Sequence, residues 1–264
     1  MYRTRFAPSP TGYLHLGHAY STLTAYDAAQ AAGGEFILRI EDIDHTRSRQ
    51  PFESAIYEDL AWLRIGWQQP VLRQSDHLAD YQAALEKLRE RGLLYADHST
   101  RKGEAEAALS APQGEDHHET APANPAWRLS LEAARHYLGP RYNVLSFIEK
   151  GETHTADPSI NGDVILGRKD IGVAYHLAVV IDDARQNITH VIRGHDLYDA
   201  THTQVLLQAL LGLPTPQYHH HPLLLDADGR RLAKRKGSKS LRDYRDEGLS
   251  TADIKAMLTA APKG

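Results

Sequence analysis

Hydrophobic and polar positions fall into helix-like and strand-like stretches that alternate through the first third of the chain. Residues 18–32 carry small and apolar side chains without Pro or Gly and stop at Gly33-Gly34, the pattern of a helix and its terminator. Phe36-Ile37-Leu38-Arg39-Ile40 is a short apolar run of the kind a buried parallel strand shows, ending in Glu41-Asp42. Pro51 suits the first turn of a helix through Trp62-Leu63, with Gly66 beyond it. Ser75 is placed to cap another, in which Tyr81, Leu85 and Leu88 recur at helical spacing before Gly92. Between Lys102 and Ala126 the chain turns to Ala, Glu, Pro, Gly, Asp and His, which predicts a loop or a poorly ordered part of an insertion. Strand-like runs resume at Tyr142–Ile148, Asp163–Leu166, Val173–Ile181 and Ile188–Arg193. A helix through Val205-Leu206-Leu207 stops at Gly212, and Leu223–Leu225 leads into the turn signal Asp226-Ala227-Asp228-Gly229. This order predicts an α/β fold, a doubly wound parallel sheet split by a smaller inserted α+β domain.

Composition narrows the classes. The 264 residues are 41% hydrophobic and 24% charged, enough to bury a core. No uncharged apolar run approaches the ~18 residues a spanning helix needs, and the N-terminus has no apolar signal region, so a cytoplasmic protein without a membrane partner is expected. The absence of cysteine excludes disulfides, thiol catalysis and cysteine-ligated zinc or iron–sulfur sites. A net charge of −4 does not suggest a nucleic-acid binder, so any such surface must be local.

Two segments carry the chemistry. In Arg5-Phe6-Ala7-Pro8-Ser9-Pro10-Thr11-Gly12-Tyr13-Leu14-His15-Leu16-Gly17-His18 the prolines favour an extended exit from a first strand, and a helix starts near Gly17-His18. A helix start attracts phosphate, a glycine there admits a base or phosphate to the backbone, and the two histidines can donate to phosphate oxygens. On its own this pattern also describes a loop with two surface histidines. The second segment, Arg230-Arg231-Leu232-Ala233-Lys234-Arg235-Lys236-Gly237-Ser238-Lys239, is a basic loop after a strand signal, which alone reads as a solvated charge run.

Together, in this order, the two segments resemble the signature of class I aminoacyl-tRNA synthetases. Residues 5–18, Gly34–Asp44, Tyr175–Asp183 and Ile188–Gly194 look like glutamyl-tRNA synthetases along nearly the whole chain. The segment after the basic loop is too short for an anticodon-binding domain, so the resemblance is to the glutamyl-Q tRNA(Asp) synthetases. The resemblance implies a Rossmann-type catalytic domain at residues 1–95 and 165–235, an inserted acceptor-binding-like domain at 96–164 and a helical stem-contact segment at 236–264. It further implies that Arg5, Phe6, Ala7, Pro8, Ser9, Glu41, Tyr175 and Arg193 contact L-glutamate. His15, Gly17, His18 and Lys234 would contact ATP, with Lys234, His15 and His18 as the catalytic donors and Mg2+ as partner ion. The residue chemistry agrees: two carboxylates and an ammonium call for Arg5, Arg193, Tyr175 and Ser9 as donors and Glu41 as acceptor. Which arginine takes the side-chain carboxylate is left open, as is the base for the transfer step.

The implied activity is activation of glutamate to glutamyl-adenylate without tRNA, then transfer to queuosine in the anticodon of tRNA(Asp), by a monomer. The anticodon stem-loop would meet an edge made by residues 95–160 and by Arg230, Arg231, Lys234, Arg235, Lys236, Lys239, Arg242 and Arg245, with only Asp243 as counter-charge. The alternatives are a truncated glutamyl-tRNA synthetase charging a 3′ end, a catalytically impaired RNA- or nucleotide-binding relative, and an adenylyltransferase acting on a small acid. Departures from the family pattern are Arg231 and Ala233 in the basic loop, which bear on loop closure. Asp97 and Ser99 stand where many relatives carry zinc-binding cysteines. A site rebuilt from Asp97, His98, His117 and His118 is chemically conceivable, but no structural zinc and no metal site is expected. His219-His220-His221 reads as a partly exposed strand end.

Overall fold

The computed structural model describes residues 1–98, 125–169, 172–225 and 239–264. Strand β1 (Arg3–Phe6) pairs in parallel with β2 (Glu35–Ile40), and β2 with the short β3 (Leu72–Arg73). Helix α1 (Leu16–Ala31) makes the crossover, and its return into β2 is tight. A Cβ on Gly34 would meet the Tyr2 carbonyl oxygen at 2.3 Å, so only glycine fits there. Helix α2 (Gln50–Trp62) carries Pro51 in its first turn as expected. Helix α3 (Leu78–Glu90) follows a 3-10 turn at Gln74–His77. Ser75 does not cap it: its N–H and hydroxyl both donate to Asp42, because the carboxylate at the end of β2 outcompetes a helix start three residues away.

An antiparallel sheet is built from β4 (Leu94–Asp97), β5 (Ala126–Leu129), β8 (Ile165–Arg168) and β9 (Gly172–Val173), with helix α4 (Leu131–Leu138) after β5. The hairpin β6 (Ser146–Glu149) and β7 (Glu152–Thr155) instead joins the second parallel group, in which β10 (His190–Gly194) pairs with β11 (Gln217–His221) and β11 with β6. That group meets β1 where the Thr189 N–H donates to the Arg3 carbonyl at 2.9 Å. Helix α6 (Tyr198–Leu211) ends on Gly212 in the left-handed conformation, φ 72°, as the glycine predicted.

One expected strand is a helix. Tyr175–Arg185 forms α5, not the strand predicted over Val173–Ile181. Leu177, Ala178, Val179 and Val180 are all buried, packing among α3 and α6, so no polar face marks the helical period in this run. Burying each of the Leu and Val side chains contributes about 1.5–3 kcal/mol. The chain closes with α7 (Leu241–Asp246) and α8 (Thr251–Ala260), both opened by capping boxes, Ser240 with Asp243 and Ser250 with Asp253.

Asp59 in α2 is fully buried; its Oδ1 has only a long 3.4 Å contact from Arg245 and its Oδ2 no partner. Burial pushes its carboxyl up to about 6 against the pull of Arg245. The folded chain therefore holds this proton more tightly than the unfolded one, and the stability it contributes at low pH is lost as pH rises through about 6. Between pH 5 and pH 8 wild type should lose about 1 kcal/mol that Asp59→Asn does not. Denaturant unfolding of both proteins at the two pH values measures this, and parallel profiles would refute it.

Candidate active site

The C-terminal ends of β1, β2 and β10 open into a cavity of about 260 Å³. Crevices at strand ends are where open α/β sheets bind ligands. Arg5 and Phe6 close β1, and Ala7, Pro8 and Ser9 continue along the wall. Glu41 follows β2, Tyr175 opens α5, Arg193 lies on β10 and His18 in the first turn of α1. The Glu41 N–H donates to the Pro8 carbonyl at 3.0 Å, which stitches the proline-rich exit of β1 to the end of β2. All eight residues expected to meet glutamate, and His18, line this one cavity; His15 and Gly17 sit beside it in the helix cap.

Beneath the cavity lies a buried charge network. Arg39, fully buried, donates to Asp183 Oδ1 at 2.7 Å, to Glu41 Oε1 at 3.0 Å and to Gln186 Oε1 at 3.1 Å. Asp183 also accepts from Arg5 Nε at 3.1 Å. The neighbouring Asp182 accepts from Gln74 and from the Tyr81 hydroxyl, each at 2.8 Å. Burial pushes the Glu41 carboxyl upward although Arg39 and Arg5 pull it down, so a further cation beside it would be welcome. Burial raises the Tyr175 phenol as well, with Arg193 opposing.

Arg193 differs from Arg5. Its Nη2 donates to Thr201 Oγ1 at 2.7 Å and its Nε to His220 Nε2 at 3.1 Å, while the buried Nη1 has no acceptor. Among the described residues no carboxylate pairs with it. A nearly buried guanidinium held only by neutral groups, in a cavity wall, is suited to an incoming carboxylate.

The His-x-Gly-His spacing has a structural cause. The Gly17 N–H donates to His15 Nδ1 at 3.1 Å and the His15 N–H donates to His18 Nδ1 at 3.1 Å, a reciprocal cap on α1. With both Nδ1 atoms accepting, each neutral ring carries its proton on Nε2, a donor suited to a phosphate oxygen. The Gly17 N–H is thereby used in the cap. The exit of the basic loop is pinned here: Ser240 bridges His15, and the Leu241 N–H donates to the Leu14 carbonyl at 2.7 Å. Lys234, Arg230, Arg231, Ala233, Arg235 and Lys236 lie outside the described residues.

The family model for the class I tRNA synthetase (E and Q) catalytic domain matches residues 1–122 and 150–259. A glutamyl-Q tRNA(Asp) synthetase of Rhodobacter capsulatus is 46% identical over 97% of this chain and 99% of its own length. The chain belongs to the glutamyl-Q tRNA(Asp) synthetase family. A glutamate–tRNA ligase of Prochlorococcus marinus is 36% identical over 94% of the chain, which spans only 56% of that protein. The solved glutamate–tRNA synthetase of Elizabethkingia anophelis superposes with a TM-score of 0.76 at 25% identity, over 98% of this chain and 61% of that one. The fold is the Rossmann-like catalytic domain of class I synthetases, and membership of the family makes the chain an ATP-using ligase of the aminoacyl-tRNA synthetase type.

Three expectations for this glutamyl-Q synthetase family member need correction or placement. The described basic residues of the expected RNA edge are not met by Asp243 alone: Lys239 pairs with Glu247 at 2.6 Å, Arg242 with Asp246 at 3.7 Å and Arg245 with Glu58 at 3.1 Å. Asp243 instead caps α7, so the counter-ions come from elsewhere: Arg242 finds Asp246 one helical turn on, Lys239 finds Glu247 just beyond the helix, and Arg245 finds Glu58 on α2. Asp97 accepts from Arg128 Nε at 2.5 Å, and Ser99, His117 and His118 lie outside the described residues. Among the described residues no three His, Asp or Glu side chains gather as a metal site, and no helix is long and apolar enough to cross a membrane. His219 is exposed whereas His220 and His221 are buried, so the strand end is partly exposed as expected: His220 packs against Thr201 and Tyr198 of α6 and His221 against Tyr20 of α1.

The residues that sequence reasoning missed are Arg39, Asp183, Thr201, Glu149 and His220. Arg39 carried a signal, a cation inside an apolar strand, which obliges buried counter-charges. Arg39→Met should destabilise the protein by about 3–5 kcal/mol, because Glu41 and Asp183 stay buried without their main partner. Equilibrium unfolding in denaturant measures it; a loss below about 1 kcal/mol would mean that the network is not held by this residue.

Proposed function

We propose that the cavity binds L-glutamate and that the protein activates it with ATP, without tRNA, before transferring it to queuosine in the anticodon of tRNA(Asp). The observation that carries this is the pairing within one cavity of Arg193, whose Nη1 lacks an acceptor, with Glu41, whose carboxyl burial has pushed upward. A substrate carboxylate supplies the first and a substrate ammonium suits the second. The names of the relatives support the same substrates.

In the first step an oxygen of the ionised α-carboxylate attacks the α-phosphorus in line. The bond to the β-phosphate oxygen breaks and pyrophosphate leaves. The protein's work is positioning and charge neutralisation, by Nε2–H of His15 and His18 and by Lys234 as principal cation. Magnesium would enter with ATP and supply charge neutralisation on the phosphates; the carboxylates of the floor are already engaged by Arg39 and Arg5. In the second step a hydroxyl of the queuosine diol attacks the mixed anhydride, an ester forms and AMP leaves. The division into residues 1–95 with 165–235, 96–164 and 236–264, the monomeric state, the cytoplasmic location and the lack of a structural zinc belong to the same proposal.

ATP–pyrophosphate exchange should require glutamate and proceed without tRNA. Aspartate, one methylene shorter, leaves Arg193 short of its acceptor and should be poorer by about tenfold or more. Exchange that ran equally well with aspartate, or only after tRNA was added, would sink this reading.

The acceptor is tested separately with labelled glutamate. An isolated anticodon stem-loop bearing queuosine should be labelled, periodate treatment should abolish labelling, and removal of the 3′-terminal adenosine from whole tRNA should leave it intact. Loss of label on removing that adenosine would establish 3′-end charging instead.

A further inference from the structure

We propose that His220, clamped by Glu149, is a positioning residue for glutamate: it fixes the Arg193 guanidinium from behind through a neutral acceptor, so that the cation in the cavity wall keeps its charge for the substrate carboxylate. The inference rests on the reading of the cavity as the glutamate site.

Three neighbouring strands bring the groups together. Arg193 on β10 stands in register with His220 on β11, and β11 pairs with β6 at Tyr218 and Glu149. Arg193 Nε can only donate, so His220 Nε2, 3.1 Å away, must accept. The imidazole proton is then on Nδ1, 2.7 Å from Glu149 Oε2, and the His220 backbone N–H reaches Glu149 Oε1 at 2.8 Å. Glu149 thus grips His220 twice and dictates its tautomer. Thr201 Oγ1 accepts from Arg193 Nη2 and lies 3.2 Å from His220 Nε2, close enough to donate to it. The Tyr218 ring stacks on His220 with an interplanar angle of 4° and lies 5.5 Å beneath the Arg193 guanidinium. His220 is 1% exposed, so the imidazole itself is shielded from water.

The chemistry of the relay decides its use. A carboxylate in direct contact with Arg193 would neutralise it, as Asp183 does for Arg5. Placing a neutral imidazole between Arg193 and Glu149 fixes the guanidinium's orientation without a competing anion in contact. Burial and the repulsion of Arg193 hold the imidazole's proton affinity down to about 4, so it stays an acceptor at working pH. Glu149 stays ionised: burial raises its carboxyl, but the two N–H groups of His220 outweigh that and bring it below the ordinary range.

The test compares near-isosteric variants in ATP–pyrophosphate exchange. His220→Asn keeps a donor toward Glu149 but loses the acceptor for Arg193, and should raise the glutamate KM about tenfold with the ATP KM unchanged. His220→Gln can set its amide oxygen at the Nε2 position and should recover most of that loss. Thr201→Val should act like His220→Asn, and Thr201→Ser should restore the wild-type KM; this pair decides the matter if His220→Asn does not fold. In nitrogen-15 histidine spectra of the wild-type protein, His220 should be the neutral Nδ1–H tautomer at pH 6. An unchanged glutamate KM in His220→Asn or Thr201→Val, equal rises for glutamate and ATP, or an Nε2–H or doubly protonated His220 would overturn the proposal. Wild-type exchange that does not depend on glutamate would instead overturn the reading of the cavity.

Discussion

Arg39 is the constraint on which the rest of the site depends. A guanidinium with no exposure to water, placed in a strand of the main sheet, must be surrounded by anions, and it is: Asp183 and Glu41 accept from it directly, and Asp182 lies 3.9 Å away. Such networks add little net stability, since desolvation offsets most of the attraction, but they tolerate few arrangements. Here the single arrangement ties β2 to α5 across the whole inserted segment. Gln74 and Tyr81 extend it to the 3-10 turn and α3. The fold is thus registered by charge where its two halves meet, and Glu41, Arg5 and Tyr175 inherit their places in the cavity from that registration.

The arrangement then separates the roles of the two cavity arginines. Arg5 shares Asp183 with Arg39 and is largely neutralised, whereas Arg193 is held by a hydroxyl and an imidazole. Around the cavity Arg5, Arg39 and Arg193 oppose Glu41, Asp182 and Asp183, equal in number but unequal in position. Positive charge is left at β10 and negative charge at the end of β2. A molecule with a carboxylate at one end and an ammonium at the other is oriented by that separation before any shape complementarity is considered.

Much of this was legible in the chain because it is local. Helix α1 with its glycine stop, the apolar β2, the proline start of α2 and the glycine end of α6 each follow from residues within a few positions. The residues lining the cavity were legible through resemblance, since Arg5, Glu41, Tyr175 and Arg193 are far apart in sequence and no spacing rule joins them. What was not legible depends on partners that only folding brings near. Arg39 meets Asp183 across 144 positions, and His220 meets Glu149 across 71. Helix α5 read as a strand because its buried residues wrap around it, and Ser75 read as a cap because Asp42 was out of sight.

The histidine motif shows how local and distant constraints combine. A spacing of three residues lets His15 and His18 exchange hydrogen bonds with each other's helix turn, so the same two side chains that start α1 also have their outer nitrogens turned into donors. That device engages the Gly17 N–H within the cap, so this amide is not free for a phosphate, while the imidazole Nε2 donors are turned outward. Imidazole reaches farther than an amide. On this side of the helix start Ser240 bridges His15. His15 and Ser240, far apart in sequence, are in this way joined by a bridge between backbones that does not depend on the identity of either side chain.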